Sequence, residues 1–181
     1  MIKKWNLIKS EKINSYRIFS TRKDTSLSPV TGKEHDFYVI EAPDWVNVVA
    51  ITPDNQVVLI EQYRHGINSI TLEIPGGTVE SGESPIEAGK RELLEETGYV
   101  SDNWTCIGKA HPNPAMQNNT CYTFLARDAR RIQDQSFEGT EDIAVSLTSA
   151  SNIPNLISGG KITHALVIVA FYWYYVHTHT I

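Results

Sequence analysis

The segment Gly76–Val100, GGTVESGESPIEAGKRELLEETGYV, constrains the fold more than any other part of the sequence. Within it, Ser84 is a good helix N-cap, followed by a proline that suits the first helical position and by Glu87, which completes a capping box. Gly98 is a typical C-terminal stop. The segment therefore predicts a helix over Pro85–Thr97.

Three glutamates of this helix, Glu92, Glu95 and Glu96, are related by i, i+3 and i, i+4, so their carboxylates share one face. Like charges at these spacings destabilise a helix by about a few tenths of a kcal/mol per pair, and Arg91 offsets part of that cost. A solvated acidic face is one explanation. Because a glycine-rich turn and an apolar strand precede the helix, a Mg²⁺ site built from carboxylate and carbonyl oxygens is another. The spacing alone leaves both open.

The same segment resembles the Nudix box: Gly, five residues, Glu, seven residues, Arg-Glu, an aliphatic residue, any residue, Glu-Glu, any residue, Gly and an aliphatic residue. The matching positions are Gly77, Glu83, Arg91, Glu92, Leu93, Glu95, Glu96 and Gly98. Tyr99 departs from the aliphatic residue that is usual there. The resemblance implies an α/β (α+β) Nudix fold, with a mixed β-sheet sandwiched between helices.

The resemblance also implies roles for these residues in a Mg²⁺ site, with Mn²⁺ as a substitute. The metal ligands would be Gly76 (through its carbonyl), Glu92, Glu95 and Glu96, with Glu96 also counted as catalytic. Gly77, Glu83 and Arg91 would shape and orient the cluster. In the related enzymes that cleave ADP-ribose, a general base lies on a loop well after the box. Here Glu141 is the first candidate and Glu138 the second, and a solvated loop is the alternative.

Several segments resemble the branch that acts on ADP-ribose and other nucleoside diphosphate sugars. EQYRHG would place Arg64 on a phosphate, LEIPGG would place Glu73 at the substrate, and Pro114 stands where that branch tends to carry a proline. HPNPAMQNNT departs from the branch's Pro-Gly-rich form. Its Asn118 and Asn119 are either sugar contacts or turn formers.

The implied function is Mg²⁺-dependent hydrolysis of the diphosphate bond of a nucleoside diphosphate sugar, such as ADP-ribose or GDP-mannose. The products would be a nucleoside monophosphate and a sugar phosphate. Two alternatives remain: a Nudix hydrolase of dinucleoside polyphosphates or oxidised nucleotides, and a non-catalytic Nudix module that binds ligands.

We expect a division near Pro43. Residues 1–43 would form a small antiparallel β extension, and residues 44–181 the Nudix hydrolase domain. In relatives such an extension exchanges across a homodimer, and aromatic side chains there sandwich the base. Phe37, Tyr38 and Trp45 are the candidates for that stacking, with ordinary strand packing as the alternative.

The pattern of apolar residues predicts the remaining elements. Asn14–Thr25 is expected to be one strand, and Trp45–Thr52 and Gln56–Arg64 are expected to form a hairpin. Two helices should close the chain, one near SNIPNLISGG and a buried one over Thr163–His177.

Composition excludes some partners. The net charge of −5 gives no electrostatic basis for nucleic-acid binding. The longest apolar run, ALVIVAFYWYYV, is too short to cross a bilayer, and MIKKWNLIKSEK does not resemble a signal peptide. Two cysteines outside any CxxC motif suggest ordinary thiols. The expectation is a cytoplasmic protein with a small-molecule substrate and no membrane partner.

Overall fold

A computed structural model describes residues 1–136 and 142–179, in which the chain forms two compact units. The first unit comprises residues 1–43 and 111–120, and the second comprises residues 44–110 and 121–181. The strands are β1 (Asn6–Ser15), β2 (Ser20–Leu27), β3 (Glu34–Glu41), β4 (Trp45–Ala50), β5 (Gln56–Arg64), β6 (Ser69–Glu73), β7 (Gly76–Thr78), β8 (Tyr99–Val100), β9 (Asn103–Ala110), β10 (Cys121–Arg127), β11 (Arg130–Arg131) and β12 (Ile143–Ser149). The helices are α1 (Pro85–Thr97), α2 (Ile153–Ser158) and α3 (Ala165–Thr178).

The first unit is built on an antiparallel sheet in the order β1-β2-β3. The expected single strand over Asn14–Thr25 is wrong, because the amide of Tyr16 donates to the carbonyl of Phe19 and turns the chain between β1 and β2. The unit also includes the loop 111–120, whereas a division near Pro43 places this loop in the second segment. Ile40 donates its amide to the carbonyl of Met116 in that loop.

The second unit is organised around a mixed sheet in the order β7-β4-β10-β9, in which β4 and β10 run parallel. Side chains of β4 alternate between its two faces. Val48 and Ala50 pack in a cluster with Leu93 of α1, whereas Val49 packs with Phe171 of α3. Helices therefore cover both faces of this sheet, which confirms the expected mixed sheet between helices.

A second sheet of this unit has the order β12-β5-β6 and is antiparallel throughout. The expected hairpin between Trp45–Thr52 and Gln56–Arg64 is wrong, because β4 and β5 lie in different sheets. An isolated bridge between Ile51 and Val57 is what remains of that pairing. The apolar β10 offers β4 a longer parallel register, from Trp45 opposite Cys121 to Ala50 opposite Ala126.

Helix α3 is less enclosed than its composition predicts. Val167, Ala170 and Phe171 are buried, but Tyr172 and Tyr175 are largely exposed. Among the described residues, no helix has the length and apolar character needed to cross a membrane.

Candidate active site

Helix α1 has the bounds and caps that its sequence predicts. The carboxylate of Glu87 accepts hydrogen bonds from the amide and the hydroxyl of Ser84, at 2.8 and 2.6 Å. Gly98 ends the helix in the left-handed conformation, with φ of 74°, and its amide donates to the carbonyl of Leu94. These caps fix the rotation and the ends of the helix, and hence the positions of its glutamates.

Arg91 connects the acidic side chains of the segment. Its Nε and Nη2 donate to the two carboxylate oxygens of Glu83, at 3.0 and 3.1 Å, and Nη2 also donates to the carbonyl of Thr78. Its Nη1 donates to Glu92 at 2.9 Å and to Glu95 at 3.2 Å. The hydrogen bonds from Arg91 lower the pKa of Glu83, and the same bonds raise the pKa of Arg91. The arginine therefore links the carboxylates of Glu83, Glu92 and Glu95.

Two glycines of β7 let the helix glutamates approach this strand closely. Glu96 is buried, and its Oε2 accepts a hydrogen bond of 2.9 Å from the amide of Gly76. Glu92 lies against Gly77, where an added Cβ would stand 2.2 Å from Oε1 of Glu92. Any side chain at Gly77 would occupy the place of this carboxylate.

The donor set suits a hard divalent cation, because it consists of carboxylate oxygens beside the backbone of Gly76. In this arrangement the carboxylates are held by protein groups: Glu92 and Glu95 by Arg91, and Glu96 by the Gly76 amide. Within residues 1–136 and 142–179, no three His, Cys, Asp or Glu side chains are grouped as a metal site would require. The oxygens that could serve a metal ion are therefore present but engaged with other partners.

An ion pair between partly exposed Arg64 and buried Glu73 lies in the same unit. Nε and Nη2 of Arg64 donate to the two carboxylate oxygens of Glu73, at 2.8 and 2.7 Å, and the hydroxyl of Thr71 donates to the same carboxylate at 2.6 Å. Burial opposes ionisation of Glu73, but the hydrogen bonds from Arg64 and Thr71 outweigh it and lower its pKa. The pair with Glu73 also raises the pKa of Arg64. Arg64 thus carries its charge on a preorganised guanidinium.

The ion pair and the glycine strand border one cavity of about 640 Å³. Of the residues that the sequence singled out, five line it: Trp45, Arg64, Glu73, Gly76 and Gly77. Other lining residues were not anticipated as site residues, among them Asn47, Cys121, Thr163 and His164. Burial raises the pKa of Cys121 to about 12, so this thiol stays protonated.

The other predicted contacts lie in the first unit. Phe37 is 44% exposed and packs edge-on against Trp5, and Tyr38 is 65% exposed on the next position of the strand. Pro114 is exposed. The side chain of Asn118 accepts a hydrogen bond from a backbone amide, and that of buried Asn119 donates to a backbone carbonyl. Both asparagines therefore have structural contacts within this unit, and their role toward a substrate stays a prediction.

The two loop glutamates, Glu138 and Glu141, lie outside the described residues. The residues that precede this segment are anchored to the end of α1. The amide of Ser136 donates to the carbonyl of Glu95, and the side chain of Gln135 donates to the carbonyl of Glu96 at 2.6 Å. The same Gln135 side chain also donates to the carbonyl of Ile143 at the start of β12.

Comparison with known proteins gives consistent matches. Residues 42–166 match the model of the NUDIX domain family. A methanol dehydrogenase activator from Bacillus methanolicus is 32% identical over 120 residues, which cover 66% of this chain and 64% of that protein. An ADP-ribose pyrophosphatase from Bacillus subtilis (strain 168) is 30% identical over 104 residues, which cover 58% of this chain and 56% of that protein. The chain thus spans less than two thirds of the length of either relative.

A solved structure shares the fold. The crystal structure of an ADP compounds hydrolase superposes with a TM-score of 0.84 at 21% identity, covering 100% of this chain and 99% of that one. The family model itself covers well over half of the 181 residues. Together with the box residues held around Arg91, this match shows that the chain belongs to the Nudix family.

Proposed function

We propose that this protein is a hydrolase, dependent on a divalent metal ion, that cleaves the diphosphate bond of a nucleoside diphosphate sugar, with ADP-ribose and related ADP-sugars as the leading substrates. One observation carries the proposal. The strand Gly76–Thr78 lines the 640 Å³ cavity and also contacts the carboxylates of Glu92 and Glu96 of α1. A diphosphate held in the cavity would lie beside the acidic cluster, which consists of Glu83, Glu92, Glu95 and Glu96. The relatives named ADP-ribose pyrophosphatase and ADP compounds hydrolase support this substrate class.

The basic and acidic residues of the site would have different roles, in phosphate binding and in metal binding respectively. Arg64 would bind a phosphate oxygen through the part of its guanidinium that Glu73 does not use. Glu92, Glu95 and Glu96, with the Gly76 carbonyl, would hold Mg²⁺, or Mn²⁺ in its place. Such an ion neutralises a diphosphate and lowers the pKa of a bound water. Arg91 would keep the carboxylates oriented. The cytoplasmic location stays a prediction.

A substrate panel tests the proposal. The protein is incubated with Mg²⁺ and, separately, with ADP-ribose, GDP-mannose, UDP-glucose, diadenosine polyphosphates and 8-oxo-dGTP, and products are separated by chromatography. We expect a nucleoside monophosphate and a sugar phosphate from ADP-ribose, and none when EDTA replaces the metal. Preferential cleavage of diadenosine polyphosphates or 8-oxo-dGTP would contradict the substrate class. Absence of cleavage with either Mg²⁺ or Mn²⁺ would favour a ligand-binding module.

We further propose Glu141 as the general base, with Glu138 as the second candidate. The supporting observation is that Ser136 and Gln135, which precede this segment, are hydrogen-bonded to the backbone carbonyls of Glu95 and Glu96 in the last turn of α1. Glu141→Gln should lower kcat far more than it changes KM, because the base acts after substrate is bound. Glu138→Gln is the matched control from the same segment. If it shows the larger loss of kcat, the assignment of the two residues is reversed.

The segment Met1–Pro43 is proposed to mediate a homodimer. Its sheet exposes Leu7, Ile8 and Phe37, which would be buried more favourably against a second copy. Analytical ultracentrifugation should give about twice the monomer mass of 20.3 kDa. An active species that sediments as a monomer would contradict this.

A further inference from the structure

His164 is the residue whose surroundings the proposed mechanism leaves unexplained. It occupies the N-cap position of α3, but its side chain makes no capping hydrogen bond. It lines the same cavity as Arg64 and Glu73. Its Nδ1 is buried and, within the described part of the chain, has no hydrogen-bond partner. Buried polar atoms normally have partners, so this unpaired nitrogen constrains which ring nitrogen of His164 carries the proton.

The backbone around His164 is fixed in place. The amide of Ile168 donates to the carbonyl of His164 in the first turn of α3. Two residues after His164, the carbonyl of Leu166 accepts a hydrogen bond of 3.1 Å from the side-chain amide of Asn47 on β4. These bonds attach the start of the helix to the central sheet. The imidazole is therefore presented to the cavity from a rigid support, as a specific contact requires.

The environment also sets the protonation state of the ring. Burial lowers the pKa of His164, nearby Glu73 opposes this effect in part, and Arg64 adds to it. A neutral imidazole has one N–H donor and one acceptor nitrogen. A buried acceptor without a partner is tolerated better than a buried donor without one, so the proton belongs on Nε2. The polar group left for the cavity is a neutral N–H.

The neighbouring charges select what this N–H can bind. The ionised carboxylate of Glu73 lines the same cavity and can only accept hydrogen bonds, so the lone pairs that Arg64 and Thr71 leave open can bind a hydroxyl but not a phosphate oxygen. A sugar hydroxyl can donate toward a carboxylate and accept from an imidazole N–H at the same time. Arg64 already supplies the cationic group for a phosphate. A neutral donor beside an acidic side chain is therefore suited to a sugar rather than to the diphosphate.

Building on the proposed function, we infer that His164 is a specificity-determining residue that contacts a sugar hydroxyl of the nucleoside diphosphate substrate. The hydroxyl belongs either to the sugar that the diphosphate carries or to the ribose of the nucleoside. Binding of that hydroxyl would discriminate nucleotide sugars from diphosphates that lack it, because a site built to hydrogen-bond a hydroxyl rejects analogues without one.

The test compares three compounds: ADP-ribose, an analogue whose adenosine lacks both ribose hydroxyls, and a propyl ester of ADP that lacks the terminal sugar. His164→Ala should raise KM for ADP-ribose roughly tenfold with a smaller change in kcat, as the loss of one hydrogen bond predicts. The increase in KM caused by His164→Ala should vanish for the analogue that lacks the contacted hydroxyl. The analogue for which it vanishes identifies the sugar that His164 contacts. His164→Gln, which keeps an N–H donor near the position of Nε2, should recover part of the affinity.

The matched control is His177→Ala, which removes an exposed histidine from the last turn of the same helix. It should leave KM unchanged for all three compounds. An equal penalty from His164→Ala on all three compounds, or no penalty on any, would overturn the inference while leaving the proposed function in place.

A binding experiment separates this inference from the proposed function. Calorimetric titration in EDTA measures the Kd of ADP-ribose and of the two analogues without hydrolysis. The wild-type protein could fail to cleave any compound in the panel. If the His164→Ala substitution then still weakens the binding of ADP-ribose selectively, the inference stands and the hydrolase proposal fails. If wild-type protein binds all three compounds equally well, or binds none of them, the inference fails.

Discussion

Glu96→Gln should abolish hydrolysis of the substrate that the panel identifies, while the protein remains folded. The carboxylate of Glu96 is buried and accepts a hydrogen bond from the amide of Gly76. A glutamine of the same shape keeps an oxygen that can accept this bond, so we expect the free energy of unfolding to change by less than about 1 kcal/mol. The substitution removes the negative charge that a divalent cation requires of this ligand.

The expected loss of kcat is well beyond the ~100-fold typical of losing an outer partner of a metal ligand. A second readout does not depend on turnover: the Kd of Mn²⁺, measured by titration of its electron paramagnetic resonance signal, should rise at least about tenfold. The Kd of Mn²⁺ and kcat together show whether the variant fails to bind the metal ion or binds it but fails to catalyse hydrolysis.

Glu87→Gln is the matched control for this substitution. Glu87 lies on the same helix, loses the same charge, and contacts Ser84 at the N-cap rather than the acidic cluster. Glutamine serves in a capping box as well as glutamate does. Turnover by Glu87→Gln should therefore match wild type. Near-normal turnover by Glu96→Gln would remove Glu96 from the proposed site.

The parts of the fold that local chemistry determines could be predicted from the sequence. The capping residues gave both ends of α1, because the N-cap, the capping box and the left-handed glycine act within one turn of the helix. The box glutamates share a face for the same local reason. Strand pairing was less predictable: PDN between two apolar strands has the form of a hairpin turn, yet β4 pairs with β10, whose residues lie far along the chain.

The same distinction applies to the site. Arg64 and Glu73 could be proposed from motifs on single strands, and they meet because β5 and β6 pair next to each other. His164 reaches the cavity because α3 docks on the central sheet, where Asn47 of β4 bonds to the carbonyl of Leu166, and no pattern near His164 indicates this docking. In the sequence, His164 is only a titratable residue immediately before an apolar helix, and a capping role accounts for such a residue equally well.

Substitution by alanine should have different effects at the two adjacent glycines of β7: a loss of stability at Gly76, and a loss of metal binding and turnover at Gly77. At Gly76 an added Cβ would stand 2.1 Å from the carbonyl oxygen of Val46 and 3.1 Å from the Cα of Asn47. Both atoms belong to the backbone of β4, which pairs with β7 and cannot retreat without disturbing the central sheet. Gly76→Ala should therefore lower the free energy of unfolding by about 1–3 kcal/mol or more, as overpacking does in a well-packed core. Denaturant unfolding measures this directly.

At Gly77 the added Cβ would instead meet the carboxylate of Glu92, at 2.2 Å from Oε1. That carboxylate is the end of a flexible side chain, so it can move aside at little cost in stability. Gly77→Ala should therefore unfold close to wild type, within about 0.5 kcal/mol, but it should displace Glu92 from the acidic cluster and weaken Mn²⁺ binding and turnover. Each variant is the control for the other, because both add one methyl group to neighbouring positions of the same strand. If Gly77→Ala loses as much stability as Gly76→Ala, the Glu92 side chain cannot move aside. If Gly77→Ala is fully active, the position of Glu92 against Gly77 has no part in the site.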